Sequence, residues 1–297
     1  MHPGQLSIDV ATVRALVRDQ FPRWTDLPVV AAAGWGTVNA LFRIGDGLAA
    51  RFPRQPADVQ ETARLLRAEA AAARELVGAT SFPTPVPVAV GAPGHGYPLP
   101  WSVQTWLPGR TAFEQDPGGS VDFAVDLATF VREVRAIDVR GRTFAGTNRG
   151  GELAAHDGWV QTCLERSAGL LDVAALRRAW ADLRALPRLA PDVMTHGDLV
   201  AGNVLVADGR LAGVLDVGGV GPADPALDLV AAWHLLEDEP RRAFRAELRC
   251  DDLEWARGRA WAFEQALGLV WYYVETNPPM SAMGRRTLAR LLRPPER

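Results

Sequence analysis

Three oxygen-bearing side chains at close intervals carry the first chemical signal in the chain. Asp198 stands five residues before Asn203, and Asp216 follows thirteen residues after that. Between the last two, Val204–Val206 reads as a short apolar strand, Asp208-Gly209 as a tight turn and Leu211–Leu215 as the returning strand. An Asp-Gly pair between apolar runs favours a type I′ hairpin, because both central residues of that turn need positive φ. Such a hairpin brings Asn203 and Asp216 to its open end, with Asp198 in reach. Two carboxylates and an amide there suit magnesium, a hard cation that takes oxygen ligands and shares them with phosphates. One carboxylate is then left for proton work. A solvated hairpin carrying ordinary surface acids, or a calcium site, would use the same residue types.

The elements that must position these residues follow from periodicity. Ser7 or Asp9 can cap a helix with apolar positions at Val10, Val13, Leu16 and Val17, ending before Pro22. Leu27–Ala33 reads as a strand entering Gly34-Trp35-Gly36-Thr37, followed by strands at Asn39–Ile44 and Leu48–Phe52 around an Asp46-Gly47 turn. A glycine-containing loop between strands lets backbone N–H groups approach phosphates, although G-x-G also serves ordinary hairpins. Val59–Val77 reads as a helix carrying Glu61, Glu69 and Glu75, and Val88–Val90 and Trp101–Trp106 as two further strands. Beyond Leu107-Pro108-Gly109 the pattern turns helical, at Val121–Asp138, Gly158–Ser167, Asp172–Ala185, Pro225–Glu237, Pro240–Leu248 and Leu253–Val274. The loop Thr143–Asp157, with Arg149-Gly150-Gly151, has the composition of a mobile segment or of an insertion over a binding site.

His196-Gly197-Asp198-Leu199, Asn203 and then Asp216-Val217-Gly218 resemble the catalytic loop and metal-binding triplet of protein kinases. Gly197, where protein kinases carry Arg, and Asp224-Pro225-Ala226-Leu227-Asp228-Leu229 are instead similar to the aminoglycoside phosphotransferase family of antibiotic kinases. The resemblance implies an α+β, bilobal, protein-kinase-like fold. A small antiparallel-sheet N-lobe with one main helix would span residues 1–107, and a larger, mostly helical C-lobe residues 108–297. It implies Asp198 as catalytic base, Asn203 and Asp216 as magnesium ligands, and His196 and Asp228 as supports of the catalytic loop. On the nucleotide side it implies Gly34 and Gly36 over the phosphates and Arg51 gripping them where kinases use Lys. Glu69, with Glu61 as runner-up, would pair with Arg51. Gln104 would be the gatekeeper, and the Thr105 carbonyl and Leu107 N–H would face the purine. Glu264, Tyr272 and Glu275 would add acids and an aromatic face at the acceptor end, suited to a cationic or sugar-like compound.

The implied activity is transfer of the γ-phosphoryl group of ATP or GTP, with Mg2+, to a hydroxyl of an aminoglycoside- or macrolide-like antibiotic. A metabolic kinase of a choline-, homoserine- or sugar-like alcohol shares the same phosphate machinery, and a non-catalytic nucleotide-binding module is the reading of another class. Only seven residues separate Asp216 from Asp224, too few for the long activation segment on which peptide substrates dock, so no protein substrate is expected. At 297 residues, 48% hydrophobic, 23% charged and with net charge −3, the chain reads as globular, with two lobes and no basic excess for nucleic acid. Cys163 and Cys250 make neither a disulfide framework nor a zinc site. With no signal-peptide pattern and no apolar run of about 18 residues, a cytoplasmic protein without membrane partners is expected.

Overall fold

The structure, a computed structural model, describes residues 4–32, 38–146 and 148–293. The chain divides into two compact units. The first comprises the residues up to Gly78 with Pro83–Pro108 and Gly213–Gly219; the second comprises Ala79–Phe82, Gly109–Ala212 and the residues from Val220 onward.

In the first unit, α1 (Val10–Gln20) starts where Asp9 accepts the Thr12 N–H at 2.8 Å. Strands β1 (Val29–Ala31), β2 (Asn39–Ile44) and β3 (Leu48–Pro53) follow, then α2 (Val59–Glu75), β4 (Pro87–Gly91) and β5 (Trp101–Thr105). They form a five-stranded antiparallel sheet in the order β1-β2-β3-β5-β4. Alternation along the strands fixes its faces. Ala40, Phe42, Ile44, Ala50, Phe52, Trp101 and Val103 bury one face against Val13, Leu16 and Val17 of α1. Phe52 anchors that core, stacked on Trp101 with centroids 4.7 Å apart and edge-on to Phe42 and Tyr97. One residue earlier on β3, Arg51 must therefore turn to the opposite face, with its cross-strand partner Ser102.

The second unit begins with β6 (Arg110–Thr111) and continues through α3 (Val121–Arg135), α4 (Asp157–Arg166) and α5 (Val173–Leu183). Strands β7 (Val193–Thr195), β8 (Val204–Ala207), β9 (Arg210–Val214) and β10 (Gly221–Ala223) lead to α6 (Val230–Leu235), α7 (Asp238–Leu248), α8 (Asp252–Tyr272) and α9 (Pro278–Leu292). Strands β6, β8 and β9 make one small sheet, and β7 and β10 an antiparallel pair registering Thr195 with Gly221. The hairpin turn between β8 and β9 has Asp208 at φ 51° and Gly209 at φ 72°, the doubly positive geometry that a type I′ turn requires. The middle of α8 is buried on all sides, from Ala260 through Gly268, as befits a helix surrounded by protein. Among the described residues no helix is long and apolar enough to cross a membrane.

Three features differ from the sequence reading. The segment expected as one helix over 225–237 is a 3-10 turn, Pro225–Leu229, capped by Asp224, before α6 begins. Helix α9 lacked an evident signal, although Asn277 caps it and Pro278 and Pro279 fit its first turn, where N–H groups need no helical partner. The loop at 143–157 is anchored rather than loose. Phe144 N–H donates to Asp192 at 2.7 Å, Asp224 N–H to the Gly150 carbonyl at 2.9 Å, and Arg257 to the Gly151 carbonyl at 3.4 Å.

Candidate active site

In the first unit, the far face of the sheet from α1 carries Arg51, Ser102 and Gln104, which line a cavity with Leu66 and Glu69 of α2 and with Val217-Gly218. Arg51 donates from Nη2 to Asp216 Oδ1 at 2.8 Å. The expected Arg51–Glu69 ion pair is absent; Asp216 takes the guanidinium, and Glu69 is close enough only to feel its charge. Burial raises the Glu69 pKa above the usual 4.5, the nearby Arg51 opposes that shift, and the Asp216 charge adds to it. The spacing behind this arrangement comes from Gly218. A Cβ there would lie 2.9 Å from Glu69 Cγ, so only glycine lets the Asp-Val-Gly segment lie this close to α2. Asp216 itself has φ 55°, a left-handed conformation uncommon outside glycine.

At the end of β5, Thr105 N–H is committed to the Val86 carbonyl and Trp106 N–H to the Gly47 carbonyl. Leu107 N–H finds no acceptor among the described residues. Gln104 faces the cavity beside α2. Gly34 and Gly36 lie outside the described residues.

In the second unit, Asp198 follows β7 on a loop held from below by Asp228. That fully buried carboxylate accepts from His196 N–H and Gly197 N–H, each at 2.8 Å. His196, 1% exposed, accepts the Asp198 N–H at its Nδ1 at 3.2 Å, and its ring lies edge-on to Phe130. The Asp198 carboxylate is half-exposed and held from two sides. Asn203 Nδ2 donates to Oδ2 at 3.0 Å and to the Asp198 carbonyl at 2.9 Å. Gln265 of α8 donates to Oδ1 at 2.6 Å, and Arg149 Nη2 to the same oxygen at 3.1 Å. Because Gln265 gives its N–H to Asp198, its carbonyl faces His234, whose Nε2 lies 3.1 Å away. Burial pushes the His234 pKa down to about 4, so the ring is neutral near pH 7 and donates from Nε2 while Nδ1 meets Thr287.

Glu264, expected at the acceptor end, is instead 2% exposed in the middle of α8. Its Oε1 meets His156 at 2.9 Å and its Oε2 lies 3.9 Å from Arg149. A helix rises about 1.5 Å per residue, so Tyr272 lies roughly 12 Å further along α8. Tyr272 and Glu275 are exposed, and Tyr272 packs edge-on with Trp271 and Tyr273. The three expected acceptor residues therefore do not form one surface.

Sequence reasoning missed Arg149, Gln265 and Asp224. Asp224, 1% exposed, caps Ala226 N–H and accepts from Arg257 Nε and Nη2 at 2.9 and 2.6 Å and from Trp261 Nε1 at 2.9 Å. The Arg-Gly-Gly tripeptide was the available sign for Arg149; nothing local distinguishes Gln265 on a buried helix.

The fold is that of known phosphotransferases. A GDP complex of aminoglycoside 2'-phosphotransferase-IIIa superposes with a TM-score of 0.70 at 19% identity, over 96% of this chain and 99% of that one. The macrolide 2'-phosphotransferase of Brachybacterium faecium superposes with a TM-score of 0.61 at 21% identity, over 95% and 99%. The family model for the phosphotransferase enzyme family (APH) matches residues 29–262, and the chain belongs to that family. In sequence it is 32% identical over 149 residues to an aminoglycoside 3'-phosphotransferase of Salmonella typhimurium, covering 46% of this chain and 52% of that protein. A homologous enzyme of Escherichia coli matches over the same shares. The match thus spans about half the length of these curated relatives.

Proposed function

We propose that the chain transfers the γ-phosphoryl group of ATP or GTP to a hydroxyl of a small antibiotic-like acceptor, with Asp198 as base. The observation that carries the reading is the fixing of Asp198. Its loop backbone is held by the buried Asp228, and its carboxylate is aimed by Asn203 and Gln265 while staying half-exposed. A base held this way can receive the proton of an incoming hydroxyl, and phosphoryl transfer asks chiefly for positioning and charge stabilisation. Relatives named as aminoglycoside and macrolide phosphotransferases support the acceptor class, and a GDP complex and an ADP-bound form among the structural neighbours support a nucleotide donor.

The donor set fits magnesium. Both hydrogen bonds of the Asn203 amide leave from Nδ2, so its carbonyl oxygen remains available, and Asp216 contributes a carboxylate with one oxygen on Arg51. Among the described residues no three His, Cys, Asp or Glu side chains gather as a metal cage. Magnesium is commonly held by one or two protein oxygens and completed by phosphates. Held by such oxygens, magnesium would supply charge neutralisation to the donor's phosphates. Arg51 binds phosphate oxygens on this reading, and Leu107 N–H offers a donor to the purine edge.

On this reading the acceptor is a small molecule, supported by structural neighbours solved with kanamycin and with gentamicin. The test incubates purified protein with labelled Mg-ATP or Mg-GTP and a panel of kanamycin, gentamicin, streptomycin, a macrolide, choline and homoserine. Transfer to an antibiotic that is lost in Asp198→Asn, with nucleotide binding retained, is the expected result. Full turnover by Asp198→Asn refutes the role of the base, and transfer only to choline or homoserine refutes the acceptor class.

A further inference from the structure

The guanidinium of Arg149 lies 3.1 Å from the carboxylate oxygen of Asp198. Three arginines of the same unit grip an aspartate through two nitrogens, whereas Arg188 holds Asp192 through Nη2 alone. Arg210 meets Asp126 through Nε and Nη2, each at 2.6 Å, Arg257 meets Asp224 through the same pair of nitrogens, and so does Arg184 with Asp157. Arg149 instead makes one hydrogen bond, from Nη2. Its buried Nε has no partner among the described residues. Nη1 lies 3.9 Å from Glu264 Oε2, an oxygen that is buried and likewise without a hydrogen bond. A guanidinium offers five N–H donors, so most of this one's capacity is unspent beside the reacting position.

The loop is built to hold it there. A Cβ on Gly150, which has φ 116°, would lie 2.7 Å from Ala223 Cβ, and one on Gly151 would lie 2.7 Å from the Phe144 ring. A side chain at position 150 would push the loop, and Arg149 with it, off its seat, and one at position 151 would displace the Phe144 ring. The Gly150 carbonyl is tied to Asp224 N–H, the start of the turn that carries Asp228. Arg149 is thus anchored to the turn that also fixes the Asp198 loop. Glu264 behind it balances its charge without occupying its donors.

We propose that Arg149 is a further catalytic residue that grips an oxygen of the phosphoryl group during transfer; this rests on the kinase reading above. As the acceptor oxygen bonds to phosphorus, the bond to the β-phosphate oxygen breaks and its electron pair leaves with the nucleoside diphosphate. The acceptor's proton passes to Asp198. Arg149 keeps all its protons and donates hydrogen bonds to the charge that gathers on the equatorial oxygens, where a fixed donor acts mainly on the transition state. Before phosphoryl arrives, its bond to Asp198 Oδ1 keeps the guanidinium in place.

The experiment compares wild type with Arg149→Ala and Arg149→Gln. It reads Mg-ADP affinity, affinity for Mg-ADP with fluoroaluminate as a mimic of the phosphoryl in flight, and the rate of Mg-ATP turnover with water or with whichever panel acceptor is used. The expected result is Mg-ADP affinity within about threefold of wild type, with fluoroaluminate-dependent affinity and kcat both down by about 100-fold or more. Variants that turn over at the wild-type rate overturn the proposal, as does equal loss of affinity for both nucleotide complexes, the signature of a structural role. A rise in acceptor KM with kcat preserved also overturns it, because the anion would then belong to the acceptor. Should the alanine variant fail to fold, the glutamine variant decides by the same readouts. Absence of any nucleotide-dependent turnover in the wild type would instead sink the kinase reading itself.

Discussion

Replacing Asp228 by Asn tests how the loop bearing Asp198 is held. The carboxylate has no exposed surface, and each oxygen accepts one backbone N–H, from His196 and from Gly197, at 2.8 Å. Asparagine keeps a carbonyl for one of these donors and turns an NH2 against the other. The variant loses one charge-assisted hydrogen bond, about 1.5–3 kcal/mol, and leaves one buried donor unsatisfied, about 1–3 kcal/mol more. Together the expected cost is roughly 3–5 kcal/mol, which at a urea slope of about 3 kcal/mol/M lowers the unfolding midpoint of the second unit by about 1 M or slightly more. Tryptophan fluorescence reports on it, since Trp233 and Trp261 are buried in this unit. Transfer activity at zero denaturant should fall by about 100-fold, because a base misplaced by about 1 Å loses its alignment. Asp228→Ala leaves both N–H groups orphaned and should cost more than Asn. A midpoint unchanged within about 0.2 M in Asp228→Asn refutes the reasoning. So does an alanine variant more stable than the asparagine one, which would mean that burying the amide costs more than its remaining bond returns.

Two further perturbations follow from groups with shifted titration. Glu69 has a folded pKa raised mainly by burial, so its protonated form is favoured in the fold; the associated stability is present below the ordinary value of 4.5 and is lost as pH rises through the folded value. Glu69→Gln should therefore melt higher than wild type at pH 7.5 without nucleotide, with the gap closing near pH 4. A lower melting temperature at pH 7.5 would show that Glu69 contributes a direct ion pair with Arg51 after all. His234 has its pKa depressed from 6.5 to about 4 by burial, so stability should decline as pH falls below about 6.5 and level off below about 4, by roughly 3 kcal/mol over the full limb. In His234→Gln that slope should flatten in urea titrations between pH 7 and 4.5; an unchanged slope assigns the acid limb to other groups.

Much of the framework can be read from local pattern, because local pattern decides it. Asp9, Asp58 and Ser120 each accept an N–H three residues on and set the starts of α1, α2 and α3. Alternation in β2 and β3 sorts Phe42 and Phe52 from Arg51, and Asp208-Gly209 sets the hairpin turn. The boundary between units is less local. Gly213–Gly219 counts with the sheet because Gly218 packs on Glu69, and Ala79–Phe82 counts with the helices because Ser81 bonds Glu133 of α3 through both its N–H and its hydroxyl. Neither contact has a signature within a few residues of the chain. The pairing of β7 with β10 escapes for a similar reason: three residues on each side, with Gly and Pro in one, carry too little pattern to be read as strands.

The candidate site shows the same division between the motif and its surroundings. Asp198 and Asn203, joined by a hydrogen bond, are legible because they lie five residues apart on one stretch. The groups that aim Asp198 are not, since Gln265 comes from 67 residues later and Arg149 from 49 residues earlier. Arg51 shows why the motif alone misleads: its pattern suggests a glutamate partner, whereas the left-handed Asp216 reaches it first. Asp224 and Asp228, four residues apart, divide the work between them. Asp224 closes a fully bonded knot with Arg257, Trp261 and Ala226, so replacing it should act on stability. Asp228 spends both oxygens on the backbone around the base, so its loss should reach activity as well. Around Asp198 the pattern is less complete, with Arg149 Nε and Glu264 Oε2 both buried and unbonded. Buried polar groups are ordinarily satisfied, and these two atoms are closed to a substrate, so what Arg149 can still offer an incoming oxygen comes from its terminal nitrogens.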